Sequence, residues 1–248
     1  MNRVLISLTA RQLLGRRRTA LIGFVLALPI LIAVIYRFSD EAGGDTSTEE
    51  FAIGLVGTLI VTLLLPLVAL VLGTAALGAE IEDGTAVFLL TKPIERWRII
   101  AIKTGVAAAA TAVLVVPVTM ATTWIIHGGP TADGLMLGLG LAALVGAILY
   151  CAVFVALSAF TSRALIFGLI YVFVWEAFAT NLFNSLRWVS VREYATGWSD
   201  AIISVTDTDI YDPRLAVASA VIGSIVVLSA AVAYGTRALS RFEIGERA

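Results

Sequence analysis

The chain has 248 residues, of which 59% are hydrophobic and 14% charged, and its 17 Lys and Arg nearly balance 18 Asp and Glu. Soluble domains sit near roughly 45–50% apolar and about 25% charged, so a mean hydropathy of +0.96 excludes a water-soluble fold of this size. A single cysteine, Cys151, excludes an intrachain disulfide, and a single histidine, His127, excludes a histidine-rich metal centre.

In chain order, residues 1–19 carry Arg16, Arg17 and Arg18 ahead of an apolar run, and they read as a short interfacial helix on the cytoplasmic surface. The first run, 20–36, is followed by Ser39, Asp40 and Glu41 with no small-residue cleavage site, so it reads as a retained span and not a removed signal. Five acids between residues 37 and 50 (Asp40, Glu41, Asp45, Glu49, Glu50) make a solvated outer loop. Further runs cover 51–79, 104–126, 134–160, 164–182 and 215–236. Each is near or above the ~20 residues that cross a bilayer as a helix. None shows the ten-residue alternation of a membrane barrel. The expected fold is an all-α integral membrane protein: one domain, residues 1–248, with six transmembrane helices.

Of the 17 basic residues, 13 fall in segments 1–19, 80–103, 161–163 and 237–248. That bias places these segments and both termini in the cytoplasm, and topology accounts for the basic blocks without nucleic acid. Pro29, Pro66 and Pro117 lie inside the first three runs, where each removes a backbone donor and favours a kink. Gly134, Gly138, Ala142 and Gly146 step by four along the fourth run and predict close backbone packing, against another span or a second copy. Residues 183–213 mix aromatic and charged side chains and read as short helices lying on, or re-entering, the outer membrane face.

Catalytic motifs are missing. Gly73 to Glu80 reads GTAALGAE, with Ala79-Glu80 where a phosphate loop needs Lys-Ser/Thr. The chain therefore binds no cofactor and no metal and is not expected to hydrolyse ATP. Glu176 is the one charge inside a span. Burial of a carboxylate there costs at least about 2.5 kcal/mol, so it must be protonated, paired or facing a cavity. It is either a relay in a translocation path or a hydrogen-bonded pin at the outer end of the fifth helix, with Arg187 or freed backbone as partner.

The cytoplasmic stretch 80–103 carries Glu80, Glu82, Gly84, Thr85, Leu89, Leu90, Thr91, Lys92, Pro93, Arg96 and Lys103 in that order. This resembles the loop between the second and third spans of type-2 ATP-binding-cassette permeases, with Ala86 smaller than the usual residue. YVFVWEAF at 171–178 and LRWVSVREY at 186–194 are similar to the fifth span and outer helices of bacterial members. The resemblance implies an export permease of a prokaryotic cytoplasmic membrane. Its coupling helix would dock on a separate ATPase, with Val87, Phe88 and Leu90 as apolar anchor beside Leu89. The resemblance further implies two such ATPases, carrying ATP and Mg, and a second permease as homodimer or heterodimer partner. Two other classes stay open on the residues alone: an ion-coupled carrier or channel using Glu176, and a membrane anchor recruiting a cytoplasmic protein.

Overall fold

The computed structural model describes residues 9, 13, 15–40, 48–82, 95–130, 134–161, 163–179, 188–203 and 216–240. All regular structure among them is helical. Helix α1 is Arg16–Asp40. Three pieces, Thr48–Gly54, Leu55–Leu64 and Leu65–Glu82, run end to end and together form α2. Helix α3 is Arg96–His127 and α4 is Leu135–Phe160. Ala164–Ile170 continues into Tyr171–Ala179 as α5. A short α6, Val191–Gly197, and a 3-10 turn, Ser199–Ala201, precede α7, Val217–Ser240.

Among the described residues, five helices are long and apolar enough to cross a membrane; the fifth run supplies a shorter apolar helix, Ala164–Glu176. The count is thus one short of the six transmembrane helices expected, and the fifth run is the one that differs, a shorter helix that changes character before its outer end. In Tyr171–Ala179 the turns widen to a π-helical repeat, as they do in Leu55–Leu64, where the Leu65 N–H reaches back five residues to the Ile60 carbonyl. Pro66 follows directly. It has no N–H to donate and its ring crowds the carbonyl four residues back, and a widened turn relieves both problems. Pro29 and Pro117 sit inside continuous α-helices, so only one of the three prolines coincides with an altered helix.

Helix α4 is the centre of the bundle, packed against α2, α3 and α7. Small residues on the neighbours let them approach it: Gly73 of α2 meets Phe154 and the Cys151 carbonyl, and Gly235 of α7 meets Ala156 and also Ile100 of α3. Helices α1 and α7 lie at the periphery and expose Phe24, Leu31, Phe38, Ile222 and Ile225, an outward apolar surface that lipid covers. At the outer end of α3, Gly128 closes the helix at φ 69°, with the Arg37 guanidinium of α1 laid against it. A cation there complements the carbonyl end of the helix dipole. Gly128→Ala should cost about 1–2 kcal/mol from left-handed backbone alone, read as a fall of about 5 °C in Tm; an unchanged Tm would contradict the cap.

Candidate functional site

Two buried polar arrangements stand out in this apolar bundle, one towards each side of the membrane. The outer one is built on Glu176, which is 0% exposed. Its Oε1 accepts from the Tyr171 hydroxyl at 2.8 Å and from the Val191 N–H at 2.9 Å; its Oε2 accepts from Ser190 Oγ at 2.6 Å. Tyr171 lies five residues before Glu176, a spacing that one wide turn of α5 brings to the same face. Ser190 is also the N-cap of α6, its Oγ accepting from the Glu193 N–H at 3.3 Å. One carboxylate and one hydroxyl thus serve the N-terminal donors of α6.

Next to this cap, Arg192 forms a 3.0 Å ion pair with Glu193, both nearly buried, and donates to Thr62 Oγ1 of α2 at 3.3 Å. Thr62 in turn donates to the Gly57 carbonyl at 2.7 Å, five residues back in the other wide segment. The cluster therefore ties both π-helical stretches to α6.

The segment 191–203 is seated by glycines. The carbonyl of Ile202 approaches Gly134, Ile203 lies on Gly138, and Ala195 approaches Gly146. Gly146 is about 17 Å along α4 from its outer end by helix rise, so α6 packs well down the side of α4 and not at its tip. On the other flank Tyr194 covers Gly223, and the Trp198 indole N–H donates to Ser224 Oγ of α7 at 3.1 Å.

The inner arrangement sits where α2 ends and α3 begins. Lys103 is 2% exposed. Its Nζ donates to Glu80 Oε1 at 2.7 Å and to the Ala76 carbonyl at 2.6 Å. Beside it, Arg96 donates to the Leu239 carbonyl and so caps the C-terminal end of α7. The base of the 83–94 connection is thereby tied to three helices: α2 through Glu80, α3 through Lys103 and α7 through Arg96.

A protein-family model described as ABC-2 family transporter protein matches residues 9–241. The chain belongs to this family. No curated protein matches it. As an ABC-2 membrane protein it is a permease component of an ABC transporter, and such components are normally non-catalytic.

In this ABC-2 permease the residues singled out in the sequence fall in three places. Glu80 and Arg96 both lie at the inner neck, Glu80 bonded to Lys103 and Arg96 to the Leu239 carbonyl. Gly84, Thr85, Val87, Phe88, Leu89, Leu90 and Pro93 lie outside the described residues, as do the side chain of Glu82 and all of Arg187. Gly134, Gly138, Ala142 and Gly146 share one buried side of α4, and for the three glycines the neighbours include the chain's own segment 191–203. Glu176 accepts from Tyr171, Ser190 and Val191. Lys103 carried no assigned role, although a lone lysine at the head of an apolar run was a usable signal. Tyr171, Ser190 and Arg192 lie in the two segments whose likeness was noted, but nothing in either announced that they cluster, because that depends on a wide helical turn and a chain that folds back onto α4.

Proposed function

We propose that the chain is the membrane-spanning subunit of an ABC exporter, powered by ATP hydrolysed on separate ATPase subunits that dock on segment 83–94. Two such ATPases and a second permease copy, identical or related, complete the transporter in a prokaryotic cytoplasmic membrane. The observation that carries this reading is the inner neck. With Glu80 and Lys103 joined at 2.7 Å, a push on the connecting segment moves the inner ends of α2 and α3 as one body. Arg96 carries α7 with them. A loose neck would absorb such a push within the loop. The buried apolar interior of α2, α3 and α4 suits an apolar or amphipathic cargo better than a highly charged one.

Apolar side chains on a cytoplasmic loop act as anchors when they fill a partner's pocket. Replacing Phe88 and Leu90 together by alanine should weaken ATPase co-purification about a hundredfold and abolish ATP-driven flux, with the permease still folded and inserted. Full co-purification and flux in that double variant would overturn the docking assignment.

A further inference from the structure

We propose that Arg192 is a register clamp on α2: through the Thr62 hydroxyl it holds Leu55–Leu64 in the wide winding, and so couples the Thr48–Gly54 end of α2 to segment 191–203. Arg192 is a positioning residue in this device. The direction of the hydrogen bonds is fixed at Thr62. Its Oγ1 donates its one proton to the Gly57 carbonyl at 2.7 Å, which leaves a lone pair for Arg192 Nη1 at 3.3 Å. Guanidinium, hydroxyl and carbonyl thus form a chain in which each bond polarises the next.

The reach of a threonine hydroxyl depends on how its helix is wound. Thr74, further along α2, donates to the Leu70 carbonyl four residues back. Thr119, Thr123 and Thr236 likewise donate to carbonyls four residues back. Thr62, in the wide stretch Leu55–Leu64, reaches five residues back. A bond of that span is lost when the turn tightens, so a group that strengthens it favours the wide winding. Arg192 does this from a fixed base. Its Nη2 holds Glu193 Oε1 at 3.0 Å, with side chains 12% and 6% exposed. Helix α6 is itself seated by Ala195 against Gly146 of α4 and by Tyr194 against Gly223 of α7. The planar guanidinium carries separate donors for α6 and α2 at once.

Two features therefore hold the wide winding, and both act on Thr62. Pro66 is one, since in the ordinary winding its missing N–H leaves the Thr62 carbonyl without a helical donor. The chain from Arg192 is the other, acting through the Thr62 side chain. The coupling runs both ways. Lifting α6 from α4 withdraws Arg192 from α2, and rewinding α2 withdraws the Thr62 hydroxyl from Arg192.

Pro66→Ala separates the two, because it restores the donor and leaves the clamp as the one restraint. The test is the distance between nitroxide labels on Gly54→Cys and Val71→Cys, on either side of Leu55–Leu64. It is read by pulsed electron spin resonance on the full chain in phosphatidylethanolamine–phosphatidylglycerol nanodiscs. A Cβ at Gly54 meets nothing within 4 Å, and Cys151 is buried and takes no label. Pro66→Ala alone should keep the distance of the labelled parent. Adding Thr62→Val, which keeps the shape and removes the hydroxyl, should lengthen it towards the ordinary rise of about 1.5 Å per residue. Adding Thr62→Ser, which keeps a hydroxyl, should not. Adding Arg192→Gln should lengthen it as Thr62→Val does. Support of a purely structural kind at Thr62 or Arg192 would loosen α6 without changing the length of α2. The parental distance in Pro66→Ala with either Thr62→Val or Arg192→Gln overturns the clamp, as does full lengthening in Pro66→Ala alone. No ATPase is present, so this result is independent of the exporter reading, which the Phe88 and Leu90 variant tests.

Discussion

Glu80→Ala should lower the stability of the membrane-embedded chain by about 3 kcal/mol, a fall of roughly 10 °C in Tm. The reason is an asymmetry in the inner neck. The Lys103 side chain is 3% exposed and the Glu80 side chain 18% exposed. Without Glu80, the ammonium is stranded in the bundle with the Ala76 carbonyl as its remaining acceptor. Without Lys103, the carboxylate has some access to water. Lys103→Met should therefore cost clearly less, about 1–2 kcal/mol, and the double variant should recover most of the loss, because an apolar replacement removes the stranded charge. Equal effects of the two single changes, or a double variant as unstable as Glu80→Ala, would show that the pair is not what closes the neck.

Gly134→Ala is expected to have a comparable effect on the opposite side of the membrane. A Cβ at this position would stand 2.6 Å from the Ile202 carbonyl oxygen, a backbone atom with nowhere to retreat. The residue also has φ 71°, which costs an alanine about 1–2 kcal/mol. With an overpacking cost of about 1–3 kcal/mol, the total is about 3 kcal/mol, again near 10 °C in Tm. The damage should register locally: segment 191–203 lifts from α4, Trp198 loses Ser224, and tryptophan emission shifts. Gly105→Ala is the contrasting change. That glycine has nothing within 4 Å of a would-be Cβ, so the variant should be neutral or up to about 1 kcal/mol more stable. If both variants behave alike, close seating of segment 191–203 is not what Gly134 provides.

The two variants also mark how far the sequence alone could lead. Length and hydropathy located the helices because lipid imposes one rule on every span: its backbone must be satisfied internally. The glycine steps of α4 announced close packing for the same kind of reason, since only a missing side chain lets a backbone approach. What covered those glycines was not readable. The occupant is a stretch some 50–70 residues further on, and no local pattern records that it folds back onto α4.

Glu176 shows the same limit. A carboxylate in an apolar run had to be protonated, paired or facing a cavity, and hydrogen-bond donors surround it. Its nearest partner in sequence, Tyr171, is five residues away, where the ordinary 3.6-residue repeat puts a side chain on another face; the wide turn that unites them is visible only in three dimensions. Glu80 and Lys103 were each conspicuous as charges beside apolar runs, yet they are 23 residues apart and nothing between them specifies register. Arg96 and Leu239 are 143 apart, which is a property of the bundle and of no segment in it.

The wide turns of α2 bear on how its outer half can move. A helix wound with five-residue hydrogen bonds is fatter and shorter than the same residues in the usual four-residue pattern. Rewinding Leu55–Leu64 into the ordinary repeat would extend the rod and screw Thr48–Gly54 around its axis, leaving the Thr62 carbonyl opposite Pro66 without its helical donor. These ten residues hold slack, so the mouth-facing end can advance and rotate as a threaded bolt does, while the part beneath Pro66 stays still.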